Sequence, residues 1–75
     1  MRSKHFAAVL REQRLKSNLS QEALAEGAGL HRTFVSQLER GERSPSLETA
    51  MKLSEILGLP FSEFAALLEK PRAKR

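Results

Sequence analysis

The stretch Ser20–Glu39, SQEALAEGAGLHRTFVSQLE, holds two short amphipathic segments separated by glycine. Ser20 is of the type that closes a helix start with its side-chain oxygen, which predicts a helix over about 21–28. Gly29 supplies the backbone freedom for a sharp turn, and a second helix is predicted over about 31–40. Two helices can cross this closely only with a small side chain at the contact, and Ala25 occupies that place. Stepping roughly 100° per residue puts Leu30, Phe34, Val35 and Leu38 on one arc of the second helix. Arg32, Thr33, Ser36, Gln37 and Arg40 fall on the other, with Glu39 on the seam. That polar arc is nearly free of acid. It is either an ordinary solvated side or a surface built to press against a partner.

Outward from this stretch the chain keeps the same grammar. Leu, Ala, Glu and Lys/Arg dominate, no strand-like alternation persists, and proline or glycine marks each boundary. Further helices are predicted over about 4–16, 47–57 and 61–69, with Ser46 as an N-cap and Gly41 and Gly58 closing helix ends. The expectation is a compact all-α domain of five helices over residues 1–69, with the 20–39 pair at its centre. Phe6, Val9 and Leu10 set the apolar arc of the first helix. Leu47, Ala50, Met51, Leu53 and Leu57 form the expected stripe of the fourth, and Phe61, Phe64, Ala65 and Leu68 that of the fifth. Ile56 and Leu67 lie off these stripes. They are either scattered surface apolars or a patch where two copies meet.

Composition excludes several chemistries. The chain has no cysteine, which rules out disulfides and thiolate metal sites, and its two histidines, His5 and His31, are too few and too distant for a zinc site. Aspartate is absent, and no nucleophilic triad, paired carboxylates or glycine-rich phosphate loop appears, so no enzyme and no cofactor are expected. No apolar run approaches the ~18 residues that span a bilayer, so a cytoplasmic protein with no membrane partner is expected. The net charge of +4 comes entirely from the segment KPRAKR, residues 70–75, expected to be a disordered tail; residues 1–69 hold nine basic and nine acidic side chains. Bulk charge therefore says nothing about the domain, only the placement of its charges.

At this point the residues carry a resemblance. The helix–turn–helix layout of 20–39, the step LSQ-x-x-LA from Leu19 to Ala25, the turn Ala28–Leu30 and the run ERGERSPSL from Glu39 to Leu47 resemble the Cro/lambda-repressor type, the XRE-like regulators. The likeness covers Phe6 to Leu68, and LHRTFVSQLERGER is also similar to single-domain controllers of restriction–modification systems. The resemblance implies a recognition helix over about 31–40 lying in the DNA major groove. Arg32, Thr33, Ser36 and Gln37 would face base edges, where Arg can fork onto guanine and Gln onto adenine. Gln21, His31, Arg40 and Arg43 would meet phosphates. It also implies a structural ion pair between Arg14 and Glu39, which would turn the one acid of that helix inward and leave the offered face without negative charge. The sequence departs from the pattern at His31, where Ser or Thr commonly caps the helix, at Gln13, at Pro60 and at Phe34, where Tyr is common.

The function expected from these residues is sequence-specific binding of double-stranded DNA by a homodimeric transcriptional regulator. Its operator would be palindromic, with no small-molecule effector and association with the nucleoid through DNA. The alternative is an antitoxin or other protein-interaction module on the same fold, in which Ile56, Leu67 and the tail would matter more than the third helix.

Overall fold

In the computed structural model, residues 3–69 are described; the basic tail 70–75 lies outside the described residues. They form five helices, α1 Ser3–Lys16, α2 Gln21–Ala28, α3 Arg32–Glu39, α4 Leu47–Ile56 and α5 Phe61–Glu69, with no strand among the described residues. The bounds agree with the sequence reading to within a residue because the stop and start signals are local. Ser20 Oγ accepts from the Ala23 amide at 2.9 Å, and Ser46 Oγ accepts from that of Thr49 at 3.1 Å. Gly29 takes φ 71°, and Leu30 N–H closes back on the Ala25 carbonyl at 2.8 Å. Pro60 has no capping side chain; its carbonyl accepts from the amides of Glu63 and Phe64, as the carbonyls of Ser20, His31 and Ser46 accept at the starts of α2, α3 and α4. α1 ends differently: Asn18 adopts φ 58°, the left-handed conformation Asn tolerates better than most residues.

The core is built from all five helices. Phe6, Val9 and Leu10 of α1, Leu24, Ala25 and Ala28 of α2, Val35 and Leu38 of α3, Ala50 and Leu53 of α4, Leu57, and Phe64 of α5 are buried together. Phe6 and Phe64 meet edge to face with ring centroids 5.9 Å apart, which joins the two ends of the chain. α1 packs on α3 and α5, while α2 packs on α3 and α4. The small Ala25 and Ala28 allow the close approach of the central pair.

The stripe of α4 is rotated from that expected. Leu47 and Met51, expected inside α4, are 65% and 48% exposed, while Ser54 is buried and its hydroxyl donates to the Met51 carbonyl at 2.8 Å. Ile56, expected on the outside, is half-buried against α2. A Cβ at Gly27 would stand 3.1 Å from Ile56 Cγ2, so the missing side chain of Gly27 is the space that Ile56 fills. In α5 the expected stripe holds, with Phe64 buried and Phe61 and Leu68 packed against the core, but Leu67 packs there as well; Phe61, Ala65, Leu68 and Glu69 also line a shallow surface groove. The premise that Ile56 and Leu67 stand clear of the core is therefore corrected. A helical wheel finds the apolar arc, but neighbouring helices choose which part of it they cover.

A candidate nucleic-acid interface on the third helix

α3 is held from within and offered from without. Val35 and Leu38 are fully buried; Phe34 and Leu30 pack partly against the same core. On the opposite side Arg32 and Thr33 are exposed, and Ser36 and Gln37 are partly so. These four expected base readers share one outward strip. His31 stands at the N-cap without a capping side-chain hydrogen bond, although its carbonyl accepts from the amides of Phe34 and Val35 at 3.0 and 3.2 Å. α3 therefore begins less tightly than α2.

Glu39 is turned inward. Its carboxylate accepts Nε of Arg14 at 2.6 Å and Nη2 of Arg14 at 3.1 Å, and its side chain is only 2% exposed. Arg14 spends another N–H on the Leu19 carbonyl at 2.8 Å. A buried charge pair is tolerated only when its remaining donors and acceptors are satisfied, and among the described residues no buried side-chain polar atom lacks a partner. The pair ties α1 to the last turn of α3 and, through Leu19, to the start of α2.

Gln21 extends this cluster to the outer surface. Its Nε2 donates to Glu39 Oε1 at 3.0 Å, and its Oε1 accepts from Nη1 of Arg32 at 3.3 Å. Donation to Glu39 fixes which end of the carboxamide faces Arg32. The structure thus places Arg14, Glu39, Gln21 and Arg32 in one hydrogen-bonded chain from the core to the outer strip. A cleft between α2 and the start of α3 is lined by Glu22, Ala25, Glu26, Leu30, His31 and Arg32.

The far end of α3 shows what sequence reading missed. Gly41 at φ 75° reverses the chain, with its own N–H on the Leu38 carbonyl at 3.2 Å and that of Glu42 on the Gln37 carbonyl at 2.9 Å. This cap brings Glu42 back alongside the helix, where its carboxylate accepts Nε of Arg40 at 2.8 Å and Nη2 at 3.1 Å. Arg40 also donates through Nη1 to Ser36 Oγ. The hydrogen bond from Arg40 holds the Glu42 carboxyl below its usual range; that bond, and then the charge of Glu42, hold the guanidinium above its ordinary value. The expectation of a face without negative charge is overturned here, with Glu22 and Glu26 bordering its other end. The available signal was a glutamate directly after a helix-ending glycine.

Arg43, one residue on, is exposed with its guanidinium 6.0 Å from the centroid of the Phe34 ring. Phe34 lacks a hydroxyl but gives Arg43 a platform. Ile56 and Leu67 lie apart from this surface, on α4 and α5. Among the described residues no group of His, Cys, Asp or Glu could hold a metal ion, and no helix is long and apolar enough to cross a membrane.

Known proteins are similar to this chain in sequence and fold. Residues 10–64 match the helix-turn-helix family HTH_3. The control protein C.BamHI of Bacillus amyloliquefaciens is 49% identical over 55 residues, which span 72% of this chain and 68% of that protein. The cryptic phage CTXphi transcriptional repressor RstR of Vibrio cholerae is 34% identical over 61 residues, 81% of this chain and 55% of the repressor. The crystal structure of the restriction-modification controller protein C.AhdI from Aeromonas hydrophila aligns with a TM-score of 0.78 at 41% identity, covering 81% of this chain and 92% of that one. With five helices, the 20–39 pair at their centre and these relatives, the chain belongs to the helix-turn-helix family of Cro/lambda-repressor-type, XRE-like transcriptional regulators.

Proposed function

We propose that the chain, over residues 1–69, binds double-stranded DNA sequence-specifically as a homodimer, with α3 as the recognition helix in the major groove. Arg32, Thr33, Ser36 and Gln37 contact base edges, and Gln21, His31, Arg40 and Arg43 contact phosphates. The observation that carries this reading is the division of α3: its apolar arc is buried, Glu39 is drawn inward to Arg14, and four polar side chains remain on the outer strip.

One domain of this size offers few base-edge contacts, and two copies on half-sites about one helical turn apart supply the rest. The dimer surface lies on α4 and α5, where Ile56 and Leu67 are only partly buried by their own chain. The regulator is of the controller kind named in the control protein C.BamHI and the restriction-modification controller protein C.AhdI, with a palindromic operator.

Selection from random duplex DNA at fixed salt, with the mass of the selected complex measured, tests the reading. The expected result is a palindromic consensus bound by two chains. Enrichment of no sequence above the starting pool would overturn sequence-specific binding, and a single chain on a non-palindromic site would overturn the dimer.

A further inference from the structure

The pairing of Arg40 with Glu42 has a consequence for how DNA is met, and it rests on the reading of α3 just given. We infer that Glu42 is a positioning residue that occupies the Nε–Nη2 edge of Arg40 in the free protein, standing in for a DNA phosphate and competing with it. Carboxylate and phosphate take the same bidentate geometry on a guanidinium. The two contacts of 2.8 and 3.1 Å use the edge that a phosphate would use.

The cap makes this competition a fixed property of the fold. Glu42 N–H is bonded to the Gln37 carbonyl, and Gly41 is pressed by the first turn of α1, since a Cβ there would stand 3.3 Å from Lys4 Cγ and 3.6 Å from Lys4 Cα. The backbone of Glu42 therefore stays beside α3. Its side chain, 52% exposed, can turn away when a phosphate arrives. The Nη1 bond to Ser36 lies on the other side of the guanidinium and orients Arg40 for either acceptor. Glu42 thus lowers the yield from one phosphate contact on every sequence alike. It tunes affinity and salt dependence rather than base preference.

The competition predicts a sign. Fluorescence anisotropy of a labelled mixed-sequence duplex, titrated at several salt concentrations, compares the full chain with Glu42→Gln, Arg40→Ala and the double variant. Glu42→Gln tightens binding roughly two- to fivefold at low salt and steepens the fall of log K with log salt by up to about 0.9 per chain. The gain narrows as salt rises and shrinks in the Arg40→Ala background, where no guanidinium is left to release. Unchanged or weaker binding by Glu42→Gln would overturn the inference, because Glu42 would then be a bystander or a buttress. An equal gain with and without Arg40 would also overturn it, because only bulk charge would be acting. If the unaltered chain binds no duplex even at low salt, the DNA-binding reading itself fails; in the other outcomes that reading stands.

Discussion

Two Arg–Glu pairs flank α3, and they differ in almost everything except chemistry. Arg14–Glu39 is withdrawn from water, with side chains 10% and 2% exposed, and shares its spare donors and acceptors with Leu19 and Gln21. Arg40–Glu42 joins residues two apart on the surface, with side chains 54% and 52% exposed. The first links three segments of the fold and cannot be opened without stranding a charge. The second is screened by solvent and can exchange partners freely. One pair is therefore architecture and the other is available for exchange with a ligand.

The largest expected effect comes from breaking the inner pair on one side. Glu39→Ala leaves Arg14 buried and unpaired, and unfolding in urea should show a loss of about 3–5 kcal/mol. Replacing both partners by apolar residues, Arg14→Met with Glu39→Leu, should recover most of that loss, since the cost lies in the stranded charge. A small loss for Glu39→Ala alone would erase the distinction between the pairs.

Arg32 comes next, because it sits where the inner cluster reaches the outer strip. Arg32→Ala should relax preference at one base position by ~1–3 kcal/mol in a panel of single-substitution operators, with the other positions unchanged. A uniform loss across the panel would make Arg32 a phosphate contact instead. Arg43→Ala should give that uniform pattern: weaker binding to all sequences and a salt slope reduced by about one.

The smallest effect belongs to the outer pair. Arg40→Ala should lower the thermal midpoint near pH 7 only slightly, far less than Glu39→Ala, while weakening DNA binding. The pH dependence follows the same contrast. The folded Glu42 carboxyl titrates below its unfolded value because of its bond to Arg40. Whatever stability the pair supplies is therefore present above the ordinary carboxylate range and is lost as pH falls through the lowered value. Acid unfolding of Arg40→Ala compared with the unaltered chain reads this out. A midpoint drop as large as that of Glu39→Ala would show that the outer pair is structural after all.

Much of this was legible without coordinates because its causes are local. Ser20, Ser46, Gly29 and Gly41 announce helix ends through hydrogen bonds that span only a few residues, and the helices begin and end accordingly. The division of α3 into an apolar arc and a polar strip follows from helical period alone, and Glu39 on the seam was positioned to turn inward. The place of Gln21 was harder to see. The family resemblance implies a phosphate contact for it, but nothing nearby in sequence shows that Glu39, eighteen residues on, holds its amide.

What the chain determined by itself was the set of helices, their caps and the two faces of α3, all governed by neighbours within one turn. Only the tertiary structure decided how far each apolar arc rotates into the core. Gly27 of α2 makes room for Ile56, so α4 turns toward that side and leaves Leu47 and Met51 exposed. Only the tertiary structure, likewise, completed the cluster joining Arg14 to Arg32. These contacts depend on where separate segments meet in space, and burial then sets the difference between a charge pair that holds the fold and one that can be given up.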